Sequence, residues 1–344
     1  MNRLLLVLFV LGAALLPAQD ATIVYVAGDV DVRTEAGRTF PADFGDGLDS
    51  GDRVITRPIG EVELELATGG TVNVGRDTVF LIGSTTGAAG EPESRVAAAV
   101  GSFSFRFSAA VGNEPRIGST TSVAGVRGTE VRVYVGSDGT TRYEVVEGLI
   151  EIEDAARRVT LGPEQGIEIT PGAGVGPQNI FAFLERPIDY GVWNAGLVEG
   201  FLADPLPSLR GIAAEMQDLL DEIRRRAPEV EAMLARSAEE SDRLDAIEEA
   251  DGLEARQEHF RDVVMPARRA ARAAFVDLRF VVLSALSLDQ HIFSRLAAEM
   301  EARSFFDPQS RVIDEFRSDL AAIRSEYESV VVPWLVPSDL PSRF

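Results

Sequence analysis

The stretch SVAGVRGTEVRVYVGSDGTTRYEVVEGLIEI, residues 122–152, decides how this chain folds. In its middle, Val131, Val133 and Val135 alternate with Arg132 and Tyr134, the period of two produced by a strand buried on one face. Gly136-Ser137-Asp138-Gly139 is turn chemistry, and a second alternating run follows from Tyr143 to Ile152, so a β-hairpin is expected. The opening is less regular. Gly125 and Gly128 flank Arg127, and glycine is wanted where φ must be positive or where another backbone comes close. This spacing predicts a tight connection that crosses a sheet before the strand begins. Arg127 would tie neighbouring carbonyls or a carboxylate together through its planar head. Gly125, Arg127, Gly128, Thr129 and the later Gly148 are therefore expected to define the fold. The functional alternative is an exposed Arg127 that grips an acidic ligand.

The same grammar, a glycine followed by alternating apolar residues, recurs at Gly28–Val32, Gly60–Leu66, Gly101–Phe107 and Gly148–Ile152. Leu48–Thr56 is echoed by Leu161–Thr170. Many short strands with such punctuation predict an all-β roll or sandwich, and the echo suggests two similar lobes. The segment Thr170–Pro177 has the wrong glycine spacing for a dinucleotide loop and reads as a linker.

Beyond Pro187 the period changes to about 3.6. Leu209, Ala213, Met216, Leu220, Ile223, Ala227, Val230 and Leu234 form one apolar seam, with Pro228 expected to kink or restart the helix. Phe260, Val264, Ala271, Leu278, Val281, Ala285, Leu288 and Ile292 form a second, with a bend at Pro266. A third helix is expected from Asp307-Pro308, striped by Ile313, Phe316, Leu320, Ile323, Tyr327 and Val330 and stopped by Pro333. Phe275–Leu288 is the most apolar piece, yet Asp277 and Arg279 inside it predict a buried helix rather than a membrane span. The expected order is a signal peptide at 1–18, a β domain at 22–171, a linker and aromatic junction at 172–205, an α-helical bundle of about three long helices at 206–332, and a tail at 333–344. The fold class is α+β, multidomain.

Val123-Ala124-Gly125-Val126-Arg127-Gly128-Thr129, followed by a strand, Asp138-Gly139-Thr140-Thr141, a second strand and Glu147-Gly148, resembles the signature of FecR-domain proteins. Gly28–Val30, Leu48–Thr56 and Glu164-Gln165-Gly166 extend the resemblance over about Thr22 to Pro171, the last with its order altered. It implies a β-rich extracytoplasmic module. The family's namesake is an inner-membrane regulator that relays an outer-membrane iron-siderophore signal to a sigma factor, through a cytoplasmic helical segment ahead of its span. Only Met1-Asn2-Arg3 precedes the apolar run here, so the module is expected to transfer and the circuit is not.

Composition narrows the partners. The formal net charge is −22, spread over both regions, and such a surface repels nucleic acid and anionic lipid. All basic side chains are arginine, which reads as compositional bias. Cysteine is absent, which excludes thiol catalysis, thiolate metal sites, disulfides and a lipid-carrying cysteine. Leu4–Leu16 is an apolar run behind one arginine, followed by Pro17-Ala18. That is the length of a secretory h-region, with cleavage expected after Ala18 or Ala21.

Candidate chemistry is sparse. His259 and His291 lie in helical patterns with no metal-ligand spacing and read as surface or interface residues. Asp43, Asp46, Asp49 and Asp52, three apart in a glycine-rich loop, are candidate calcium or partner ligands, although Asx-turns explain the same residues. Glu61, Glu63 and Glu65 share one strand face and read as solvated. Arg224–Arg226 and Arg268, Arg269 and Arg272 read as a salt-bridged exterior, with partner docking as the sharper alternative. Phe181, Phe183, Tyr190 and Trp193 are expected to pack the two regions together. The sequence thus predicts an exported, non-enzymatic binding or scaffolding protein of the periplasm or outer envelope, with no cofactor. Its partner would be an envelope protein or glycan, and the helical half is a candidate surface for self-association. Arg127 and the Asp43–Asp52 loop are the candidate contacts. The alternatives are a membrane-anchored envelope sensor and, further off, a glycan hydrolase acting through paired carboxylates.

Overall fold

In the computed structural model, Val123–Val135 is one strand from end to end, and Thr141–Glu153 pairs with it antiparallel. The register slips between Arg127 and Val131, where Gly128 (φ +55°) faces Gly148 (φ +82°). A Cβ on Gly148 would lie 2.1 Å from the Gly128 carbonyl oxygen, so the two backbones touch where any side chain would part them. Thr129, 2% exposed, fills the space beneath. The expected connection ahead of the strand is thus a bulge within it. Arg127 is exposed on the outer face, opposite Leu149, rather than placed at a buried corner.

The structure describes residues 19–86, 92–107, 115–119, 121–153, 157–183, 186–294, 298, 321–323 and 325–335. The apolar leader, the 336–344 tail and the start of the third helix at Asp307-Pro308 lie outside these. The strands are β1 Ala21–Ala27, β2 Val30–Arg33, β3 Thr39–Pro41, β4 Gly47–Leu48, β5 Arg53–Thr56, β6 Glu61–Leu66, β7 Thr71–Val74 and β8 Val79–Thr86. They continue as β9 Pro92–Arg106, β10 Arg116–Gly118, β11 Val123–Val135, β12 Thr141–Glu153, β13 Arg158–Leu161, β14 Gln165–Ile169 and β15 Ile180–Ala182.

All belong to one sheet, and the long strands change partners halfway. β9 lies between β8 and β10 in its first half and between β7 and β11 in its second, turning at Gly101. β12 pairs with β14 before Gly148 and with β13 after it. Gly101 and Gly148, both at positive φ, are corners at which the sheet bends over its own core. That core is continuous, with Ile23, Leu64, Phe80, Phe105, Tyr143, Ile152 and Leu161 at 0% exposure. Each such burial stabilises by roughly 1.5–3 kcal/mol relative to exposure.

The echo between the lobes is structural. After Leu48, Asp49 N–H donates to Asp52 Oδ2 at 3.0 Å; after Leu161, Gly162 N–H donates to Gln165 Oε1 at 2.8 Å. Gly51 and Glu164, one before the acceptor in each case, both have positive φ. The same side-chain-closed turn leads into β5 in one lobe and β14 in the other.

The segment expected as linker holds β15 and a helix, α1 Tyr190–Ala203, capped by Asp189 Oδ1 on Val192 N–H. Then come α2 Pro205–Asp242, α3 Leu244–His259 with a break at Gly252, and α4 Met265–Ser287. At 38 residues α2 is about 57 Å long and runs through Pro228 without ending there. A π-helical turn, Phe260–Val264, precedes Pro266, whose ring removes a donor from the helical ladder. Residues 321–323 and 325–330 are helical, and one further turn, Val332–Leu335, includes Pro333 rather than stopping before it.

α2 and α4 are antiparallel: Arg268 reaches Ser241 at one end. Leu209, Ile212, Met216, Leu220 and Ile223 close against Leu278, Val282, Ala285, Leu288 and Tyr327. Phe260, expected in the stripe, is 39% exposed. Asp277 and Arg279, the two charges inside the apolar helix, both turn to the sheet: Asp277 pairs with Arg95 at 2.9 Å, and Arg279 pairs with Glu35. No helix among the described residues is long and apolar enough to cross a membrane.

Candidate functional site

Register alone lines up one row of side chains across six strands on the face opposite the core. Tyr25 on β1 pairs with Glu63 on β6, Glu63 with Asn73 on β7, and Asn73 with Ser104 on β9. Ser104 pairs with Arg132 on β11, and Arg132 with Glu144 on β12. A second row runs Ser102, Tyr134, Arg142, Glu168. Alternation marks the core face of these strands and makes the other face look merely polar.

α1 lies across one end of both rows. Tyr190 OH donates to the Val135 carbonyl at 3.0 Å, and Asn194 brackets the hairpin tip, accepting from Ser137 N–H at 2.7 Å and donating to its Oγ at 3.0 Å. Trp193 packs on Tyr134, with ring centroids 6.1 Å apart, and its Nε1–H reaches Glu168 at 3.3 Å. The aromatics at the junction therefore pin the helix to the sheet; Phe181 lies under the Arg142 guanidinium at 4.2 Å. Beneath, Glu144 is fully buried and held by Arg142 at 2.7 Å; its Oε2 sits 3.8 Å from Arg132, a charge contact rather than a hydrogen bond. Removing one member of such a group leaves a buried charge uncompensated, at a cost of about 3–5 kcal/mol.

Beyond the helix the rows open into a groove of about 320 Å³. Its floor is Asn73, Ser102, Ser104 and Arg132, and its sides are Tyr25, Tyr134 and Tyr190 with Pro187 and Ile188. Tyr25 is 52% exposed, whereas Tyr134 is buried. Burial first, and then the Glu144 carboxylate, push the Tyr134 hydroxyl up to about 12, so it is neutral and donates at physiological pH. Amide, hydroxyls and guanidinium beside aromatic faces suit a ligand with many hydroxyl or amide groups. The one carboxylate in the lining, Glu61, is paired with Arg76 at 3.0 Å.

The expected site residues lie elsewhere. Asp46 Oδ2 accepts from Asp43 N–H at 2.8 Å, and the Asp52 oxygens accept from Glu35 and Asp49 N–H at 3.0 Å each. These carboxylates close turns instead of converging on a cation; among the described residues no group of three or more metal-ligating side chains is placed to hold a metal. The Asp49 carboxyl is raised by partial burial and by Asp52 and Asp20. His259 contacts Glu240 at 3.1 Å, and the side chain of His291 lies outside the described residues. Arg224 pairs with Asp221 at 3.0 Å and with Glu326, while Arg225 and Arg226 share Glu222. Nothing in the one-dimensional pattern marks the groove, since its lining comes from five strands and the 187–190 segment.

The fold and the groove define a coiled β module with a helical half packed against it. Residues 52–151 match the family model described as FecR protein. No curated protein matches the chain. Two crystal structures of a "putative anti-sigma factor" from Parabacteroides distasonis ATCC 8503 are similar at 17% identity, with TM-scores of 0.33 and 0.34. Each similarity covers 41% of this chain and 63% of the other, so the chain spans less than two thirds of those proteins.

Proposed function

We infer that this protein acts by binding in the cell envelope, outside the cytosol, and that its β module presents the tyrosine-lined groove to a glycan or an extended polypeptide. The observation that carries this reading is the groove itself: three tyrosines over a floor of Asn73, Ser102, Ser104 and Arg132. Aromatic faces stack on sugar rings or peptide planes, and the polar floor, with the Arg132 guanidinium in it, supplies orientation. Glycoside hydrolysis takes two carboxylates flanking the scissile bond, and the lining offers Glu61 alone. That supports binding over catalysis. The helical half, fastened through α1 and α4, serves as a buttress.

A photo-crosslinking residue in place of Tyr25, irradiated in intact cells, tests this. A discrete adduct from position 25, absent when the same residue replaces the exposed Phe44, is expected. Equal labelling at both positions, or none at 25, removes the groove as the binding surface.

The FecR match also favours a second reading, a membrane-anchored envelope sensor in which the leader is retained. Mass spectrometry of the mature N-terminus separates the two: a start at Gln19 or Thr22 removes the anchor.

A further inference from the structure

A second site lies at the seam between sheet and helices, away from the groove. Arg53 on β5 stands opposite Arg33 on β2 and opposite Leu81 on β8. Leu81 belongs to the helical apolar cluster, together with Leu278, Val282 and Tyr327, so the strand that carries Arg53 faces α4 and the 325–330 helix. From α4, Arg279 reaches across to Glu35, two residues beyond Arg33. Its Nε is buried without a hydrogen-bond partner, as is the hydroxyl of Tyr327, a residue 8% exposed. Among the described residues neither Arg33 nor Arg53 has an ion-pair partner, and Glu35 serves Arg279.

The charges feel one another. Burial lowers the Arg53 guanidinium pKa, and Arg33 and Arg279 lower it further. The Tyr327 hydroxyl is pushed up by burial and by Asp289, against the pull of Arg53. Like charges gathered at a partly buried seam, with Arg33 at its exposed edge, are unfavourable unless an anion joins them, and a buried donor left unpaired costs roughly 1–3 kcal/mol. The gathering is pronounced in a chain of net charge −22.

We propose that Arg33, Arg53, Arg279 and the Tyr327 hydroxyl form a binding site for a phosphate-type oxyanion, which clasps the helical half to the sheet. A tetrahedral, multiply charged anion supplies acceptors for the guanidinium forks, the orphaned Arg279 Nε–H and the orphaned phenol at once. Inorganic phosphate and a lipid phosphate headgroup present the same chemistry, and the site's place at the edge of the seam admits either.

Thermal unfolding of the whole chain in phosphate, against chloride at equal ionic strength, tests the site. A saturable, phosphate-specific rise in Tm is expected. Arg53→Gln and, separately, the nearly isosteric Tyr327→Phe should each shift half-saturation at least roughly tenfold, the share of one charge-assisted hydrogen bond. Arg76→Gln, at an exposed pair remote from the seam, should leave it unchanged. Tyr327→Phe keeps the test decisive if Arg53→Gln does not fold. Sedimentation with phosphatidylglycerol vesicles, against phosphatidylcholine alone, separates the sources: wild-type pelleting that Tyr327→Phe weakens assigns the headgroup, and no pelleting assigns the free anion. A wild-type chain indifferent to phosphate, or a phosphate effect unchanged in both variants, overturns the proposal.

Discussion

In the sheet, Ile23, Phe105 and Tyr143 belong to one apolar cluster that, among the described residues, no helical residue enters, whereas the helical cluster draws Leu81 and Ala97 from β8 and β9. The sheet is self-sufficient, and the helices lean on it. Their weak points differ in kind. The sheet depends on a few places where backbones touch, as at Gly128 and Gly148, and such places tolerate no added atom. The helices depend on stripes of side chains that can be trimmed at a graded cost. Their exteriors carry ion pairs such as Arg243 with Glu239 and Glu240, which add little because water screens them.

That contrast can be broken, starting with its strongest claim. Gly148→Val places a β-branched side chain at φ +82° and against the Gly128 carbonyl. A loss of about 4 kcal/mol or outright failure to fold is expected from strain and overpacking together, read by urea unfolding. A loss under about 1 kcal/mol would mean that the corner can yield. Leu220→Ala, at 0% exposure between α2 and its neighbours, should cost about 3 kcal/mol and leave the sheet's tertiary signal intact up to the transition. If the sheet loosens first, the dependence runs the other way.

The alkaline limb sharpens the comparison. Tyr134 is raised to about 12 from the ordinary 10.0, and Tyr143 and Tyr327 are also raised, each chiefly by burial. Below pH 10 these groups are protonated in both states and cost nothing. As pH rises through 10 the unfolded chain releases protons that the folded one keeps, so stability falls until the folded pKa is reached. Tyr134→Phe should flatten part of that decline between pH 10 and 12, leaving the share of the other two; an unchanged slope would place Tyr134 in contact with water. The smallest effect is expected from Arg127→Ala, within about 0.5 kcal/mol by the same unfolding assay, because the side chain is exposed. A large loss there would restore the buried tie that its motif suggested.

Alternation and helical stripes were legible residue by residue. Val131, Val133 and Val135, and Leu209, Met216, Leu220 and Ile223, are buried as their spacing predicts. The Asp138 turn was legible too: its carboxylate accepts from Thr140 N–H at 2.9 Å. The outer face of β11 and β12 was not. Tyr134 on β11 and Glu144 on β12 occupy positions that alternation assigns to solvent, yet both are buried: Trp193 of α1 packs on Tyr134, and Arg132 and Arg142 gather round the Glu144 carboxylate. α1 itself was hidden in a glycine- and aromatic-rich stretch with no clear stripe, since its contacts are a phenol, an indole and an amide rather than a row of leucines.

By itself the sequence determined the two periodicities, the turns that separate strands and the lack of any thiol chemistry, because each depends on neighbours a few positions away. Only the tertiary structure decided that the Gly125–Gly128 segment is a corner and not a crossing, that Asp277 and Arg279 face the sheet, and that three arginines meet a lone phenol. These outcomes depend on which distant backbone or charge arrives opposite, and chain spacing carries no record of that.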